Sequence, residues 1–174
     1  AGTVGSVAVD EKKGAVRMKP EYRDAREQLL SMYLDYCKEL DQYDSKTYPP
    51  GQGEKVFCGY ESDKDTVIDM ITVDDAPAGF LIRITPDTAG QELIIAEAYI
   101  KPEYRGKGWM TFAVDNMIYK MPLCHLVTLT TFNRNVKAFP YWEKALKKHG
   151  FELMAKEPID ADCTEYYFTR EIER

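Results

Sequence analysis

Ala98-Tyr99-Ile100-Lys101-Pro102-Glu103-Tyr104-Arg105-Gly106-Lys107-Gly108-Trp109-Met110-Thr111 reads as a strand that enters a glycine-containing turn and opens directly into a helix. The strand, Glu92 to Ile100, is aliphatic and ends before Pro102; the helix, Trp109 to Lys120, is closed by Pro122. The first backbone N–H groups of a helix have no internal partners, and the helix dipole places partial positive charge there. Gly106 and Gly108 let that backbone approach an anion with no side chain between them. Arg105 and Lys107 add full positive charges. The stretch thus predicts a phosphate or pyrophosphate site. Taken alone, two glycines beside two basic residues read equally well as a plain turn with solvated charges.

Upstream, Thr66 to Val73 and Gly79 to Thr85 read as strands separated by Asp74-Asp75-Ala76-Pro77. With Glu92 to Ile100 they form an antiparallel meander. Before them, Tyr22, Ala25, Leu29, Met32, Tyr33, Tyr36 and Leu40 recur at steps of three and four, which predicts a helix from Glu21 whose Met and Tyr residues are core. The helix fails near Asp44, and Tyr48-Pro49-Pro50-Gly51-Gln52-Gly53 reads as a loop. Ala15 to Lys19 is a short strand stopped by Pro20, and residues 1–14, without a sustained period, read as a flexible tail. Downstream come a strand (His125 to Thr131), a helix (Val136 to Lys148) ending at Gly150, and two strands (Phe151 to Lys156, Glu165 to Arg170). The order predicts one α/β domain over residues 15–174, an α+β mixed sheet flanked by helices.

At 174 residues, 44% hydrophobic and 30% charged, the chain has the size and composition of one globular domain. Its 23 basic and 29 acidic residues give a net charge of −6, which argues against phosphate-tracking contact with nucleic acid. No apolar run approaches the roughly 18 residues that cross a bilayer. Ala1 to Val9 has no charged region ahead of it and does not read as a signal peptide, so a soluble cytoplasmic protein is expected, with no membrane partner. Cys37, Cys58, Cys124, Cys163, His125 and His149 show no metal-ligand spacing, and no Gly-x-Ser-x-Gly elbow occurs. Neither a metal nor a serine hydrolase is expected.

Pro102-Glu103-Tyr104-Arg105-Gly106-Lys107-Gly108 resembles the pyrophosphate loop of the GNAT family of N-acetyltransferases, Arg/Gln-x-x-Gly-x-Gly/Ala. Asn135-Val136-Lys137-Ala138, then Tyr141-Trp142-Glu143-Lys144, then His149-Gly150-Phe151 are similar to further family motifs, in the same order. The resemblance spans residues 15–174, and its specific part runs from about 92 to 151. It implies a central, mostly antiparallel sheet, and acetyl-CoA as the acetyl donor. The backbone from Arg105 through Gly106, Lys107, Gly108 and Trp109 to Met110 would hold the pyrophosphate. Ala98, Tyr99 and Ile100 would pair with the pantetheine arm, and Asn135 would contact the cofactor. Two departures stand out. Met110 occupies the last Gly/Ala position of the loop, and Trp142 occupies the position of the family's acidic Tyr. Tyr141, one step earlier and about 100° round the helix, is then the local phenol for protonating the leaving thiolate.

Acetyl transfer needs a neutral amine, and a lysine-type amine is mostly protonated at neutral pH. A carboxylate can take that proton directly or through water. Glu97 is the best-placed candidate, ahead of Glu92 and Glu103; its other reading is an ordinary strand carboxylate facing solvent. The implied reaction is direct attack of a primary amine in a ternary complex, and the alternative is a catalytically silent module on the same fold. The acceptor is expected to be a small-molecule or peptide amine, positively charged and drawn by Asp41, Asp44 and Glu54. The loop from Asp44 to Gly53, hinged at Gly51 and Gly53, would wall the acceptor side. A homodimer is the oligomeric alternative to a monomer.

Overall fold

In the computed structural model, which describes residues 2–7, 20–86 and 89–172, the chain runs β1 (Gly2–Val7), α1 (Pro20–Leu40), α2 (Gln52–Ser62), β2 (Thr66–Val73), β3 (Ala76–Ile84), β4 (Glu92–Ile100), a 3-10 turn (Pro102–Tyr104), α3 (Trp109–Tyr119), β5 (Leu126–Phe132), α4 (Ala138–Lys147), β6 (Glu152–Pro158) and β7 (Cys163–Thr169). The strands form one mixed sheet in the order β1-β2-β3-β4-β5-β7-β6. All neighbours are antiparallel except β4 and β5, which are joined by the α3 crossover. The β2–β3 hairpin turns on Asp74 and Asp75, both at positive φ (50° and 64°), the left-handed pair that suits a two-residue hairpin.

The mixed sheet flanked by helices agrees with the sequence reading. Two local readings do not. Residues 2–7, expected in a flexible tail, form β1 along the β2 edge. The strand expected at 15–19 falls outside the described residues. Residues 52–62, which begin in the expected loop, form α2. Gly53 is therefore no hinge: it lies inside α2, where an added Cβ would sit 3.2 Å from Leu34 and 3.3 Å from the Cys37 sulfur. The glycine lets α2 lie close against α1.

Each face of the sheet carries its own apolar layer. On one, Leu81, Leu93, Ile95, Val127, Leu129 and Phe168 pack against Ala113, Val114, Met117 and Ile118 of α3 and Trp142, Ala145 and Leu146 of α4. On the other, Ile68, Phe80, Ile82 and Tyr99 pack against Leu29, Met32 and Tyr33 of α1 and Phe57 of α2. Tyr33 stands 5.4 Å from Phe57 and 5.8 Å from Phe80 between ring centroids, so an aromatic layer joins the two helices to the sheet.

β4 changes face within its length. Leu93 and Ile95 belong to the α3/α4 layer; beyond them it is Ala98 and Ile100 that do, while Tyr99 belongs to the α1/α2 layer. The cause is a bulge: β3 pairs Ile82 with Glu97 and Arg83 with Ile95, leaving Ala96 unpaired. One extra residue reverses the alternation and bends the strand.

Candidate active site

The parallel pairing of β4 with β5 stops at Ile95 and Leu129. Beyond that point the β5-facing edge of residues 96–100 has no strand partner among the described residues, and a cleft of about 730 Å³ opens between the two strands. It is walled by the C-terminal end of α1, by the turn and first residues of α3, and by the start of α4. The opening begins at the bulged Ala96. Of the residues selected from sequence, Glu97, Ala98, Tyr99, Ile100, Arg105, Gly106, Gly108, Trp109, Met110, Asn135 and Tyr141 all line it. Lys107 does not; its Nζ reaches back to the Glu103 carbonyl at 3.4 Å.

The glycine turn has the geometry of an anion cradle. Gly106 and Gly108 sit at φ 73° and 81°, a region that strains other residues, and a Cβ at either would meet nothing within 4 Å. Gly108 caps α3 without any side-chain hydrogen bond. Helix bonding in α3 begins with the Phe112 N–H donating to the Gly108 carbonyl, so the preceding N–H groups are free to face a ligand. The Trp109 indole N–H is a further donor, buried without a partner among the described residues. This donor set fits a pyrophosphate, and the open β4 edge fits an extended amide-bearing arm. The guanidinium of Arg105 is engaged elsewhere: Nε donates to the Ile100 carbonyl at 2.8 Å, a terminal nitrogen pairs with Glu39 at 2.7 Å, and the group lies 5.6 Å from the Tyr99 ring centroid. Arg105 thus ties α1 to the turn, and what the loop offers an anion is mainly backbone.

Glu97 is on the α1/α2 side of β4, where the Ala96 bulge turns it. Its Oε2 accepts from the Tyr36 hydroxyl at 2.7 Å and its Oε1 from the Tyr60 hydroxyl at 3.0 Å. Burial pushes its carboxyl above the ordinary glutamate value, and the two phenols pull it partly back. It is no solvated strand carboxylate. Tyr36 and Tyr60 are themselves raised above the usual phenol value, by burial first and then by the charge of Glu97, so both stay protonated donors. Neither was selected from sequence: Tyr36 belongs to a helical stripe read as core, and Tyr60 lies in a helix that the sequence did not announce.

Across the cleft, Trp142 is packed into the α3/α4 layer and Tyr141 presents its hydroxyl 3.3 Å from Thr111 Oγ1. The two rings meet edge to face, 5.2 Å between centroids. Burial raises the Tyr141 phenol. Asn135 sits in the β5–α4 turn, its N–H donating to the Phe132 carbonyl. The carboxylates lining the cleft are Glu39 and Glu97. Glu92 and Glu103 are exposed and outside it. Asp41, Asp44 and Glu54, expected to draw the acceptor, do not line it either; Asp44 accepts from the Tyr48 hydroxyl and the Lys46 N–H.

The site thus joins an open parallel strand pair to a glycine cradle at a helix N-terminus. The family model for the acetyltransferase (GNAT) family matches residues 26–147. The chain belongs to that family. No curated protein sequence matches it. Among solved structures it is similar to an acetyltransferase from Thermus thermophilus (12% identity, 95% of this chain and 96% of that one, TM-score 0.63). It is also similar to the ribosomal-protein-S18-alanine N-acetyltransferase of Escherichia coli (12%, 100% and 96%, 0.61). The PaiA N-acetyltransferase of Thermoplasma acidophilum, solved in complex with coenzyme A, is a third (13%, 96% and 98%, 0.58). At these identities the likeness is one of fold. Among the described residues, no helix is long and apolar enough to cross a membrane.

Proposed function

We propose that the cleft binds acetyl-CoA and that the chain transfers its acetyl group to a primary amine by direct attack in a ternary complex. The observation that carries this is the parting of β4 from β5 immediately before the Gly106–Gly108 cradle, with Glu97 beside the opening. The coenzyme A complex of the Thermoplasma relative supports the donor.

Acetyl-CoA, when bound, supplies an activated acyl carbonyl and a thiolate leaving group. The backbone N–H groups after Gly106 hold the pyrophosphate, and the edge of Ala98 to Ile100, where the Ile100 carbonyl already accepts from Arg105, aligns the pantetheine arm. Glu97 takes the proton from the amine nitrogen as the N–C bond forms. As the C–S bond breaks, the Tyr141 hydroxyl gives a proton to the departing sulfur. An amine is favoured over a hydroxyl because a single carboxylate base suffices to make it a nucleophile. With Glu39 paired to Arg105, Glu97 is the acid group left facing the acceptor.

The cradle is tested by two substitutions of equal shape. Gly108→Asp places a carboxylate against the pyrophosphate; Gly108→Asn introduces the same bulk and the same positive-φ cost without charge. Both residues tolerate the left-handed region better than most. Calorimetric titration with acetyl-CoA should show Asp weakening affinity at least several-fold more than Asn. Equal affinities for wild type and Asp would remove the cradle from the site.

A further inference from the structure

We propose that Tyr36 of α1 and Tyr60 of α2 are positioning residues, a two-point clamp that fixes the Glu97 carboxylate at the cleft. The inference rests on the reading of Glu97 as the group that takes the amine proton. The geometry carries it. The two phenols come from different helices, and each donates to a different carboxylate oxygen, at 2.7 and 3.0 Å. Rotation about the last side-chain bond would break both bonds together. An ionised carboxylate has about four acceptor sites, so two remain for an amine or a water. The donors are rigid in turn: the Tyr36 ring lies 5.6 Å from Phe80 and 5.8 Å from Tyr99, and the Tyr60 ring lies 6.4 Å from Tyr33.

The clamp opposes desolvation. Glu97 is carried into a poorly solvated position by the Ala96 bulge, and the two hydrogen bonds favour its charged form there. The other titratable groups facing it are Tyr33 and Cys37 on α1 and Tyr99 two residues along β4; burial raises all three, so they stay neutral as Glu97 ionises. Among the described residues its hydrogen-bond partners are the two phenols. Deleting either hydroxyl should therefore make Glu97 hold its proton to higher pH.

Tyr36→Phe and Tyr60→Phe keep the rings and remove the hydroxyls. In each, the acidic limb of the kcat/KM profile should move up by about one to two pH units, the size expected for one hydrogen bond to a charged group, with near wild-type rates on the alkaline plateau. The double variant should move further. The same shift should appear without turnover, in the carbon-13 titration of the Glu97 carboxyl in ligand-free protein, its signal identified by its loss in Glu97→Gln. A carbon-13 midpoint unchanged in both single variants would overturn the clamp. So would a rate loss that persists at every pH with an unmoved acidic limb, because the phenol would then be acting directly on substrate. If the wild type acetylates no amine, the transfer reading fails by itself, and the carbon-13 midpoints decide the clamp.

Discussion

Replacing Glu97 with glutamine is expected to lower turnover by about 10²–10⁴-fold, the usual contribution of a general base, and to leave acetyl-CoA affinity nearly unchanged. The amide keeps the shape and can accept from one of the two phenols, Tyr36 or Tyr60, but its NH2 group cannot accept from the other, and it cannot take a proton. Stability should move the other way or not at all. Because the folded-state carboxyl is raised above its ordinary value, protonation stabilises the fold at low pH, and that contribution is lost as pH rises through the folded value. At neutral pH the wild type therefore carries the cost of a desolvated charge, which Gln removes. Thermal melts at neutral pH should show an equal or higher Tm for Glu97→Gln. Full activity in this variant would take Glu97 out of the reaction; a large fall in Tm would mean that the lost rate reflects damage to the fold.

Gly79→Ala is expected to be the most damaging single methyl in the sheet. Gly79 pairs with Ile100 across β3 and β4, and a Cβ there would sit 2.1 Å from the Tyr99 carbonyl oxygen and 3.1 Å from the Ile100 Cα. The nearest obstacle is backbone, so β4 must move, and it must move at the free edge that lines the cleft. Overpacking of this kind costs about 1–3 kcal/mol, or several degrees of Tm in a chain of this size. Acetyl-CoA affinity should fall as well, because Tyr99 and Ile100 are displaced. Gly59→Ala in α2 is the contrasting case: nothing lies within 4 Å of its added Cβ. A methyl there should stabilise by about 0.4–1 kcal/mol. Equal melting temperatures for wild type and Gly79→Ala would show that β4 yields there without strain.

The glycine-turn side of the cleft was largely legible in the sequence because its signals are local. A strand, Pro102, two glycines and a helix fix their geometry within a dozen residues, and the structure holds both glycines at positive φ. The side formed by α1 and α2 was not. Pro49, Pro50, Gly51 and Gly53 mark a loop by ordinary turn chemistry, yet Gly53 lies inside α2, where close packing on α1 overrides its poor helix propensity. With α2 unseen, Tyr60 had no position, and the apolar spacing of α1 gave no reason to separate Tyr36 from Met32 and Tyr33. The face taken by Glu97 was hidden for a different reason. A strict alternation from Leu93 and Ile95 would send it toward α3 and α4, and only the pairing with β3 shows that Ala96 is skipped. The three carboxylates expected to attract the acceptor, Asp41, Asp44 and Glu54, flank the end of α1 and the loop after it in sequence, and the fold puts them outside the cleft.

Amine-dependent acetyl transfer is tested most directly by thiol release from acetyl-CoA, measured across a panel of primary amines and matched alcohols, with the acetylated product identified by mass. Release should depend on the amine, follow intersecting initial-velocity lines for the two substrates, and be absent with the alcohols and in Glu97→Gln. Tight acetyl-CoA binding with no amine-dependent release from any member of the panel would contradict the proposed transfer and leave the chain a binding module on an acetyltransferase fold.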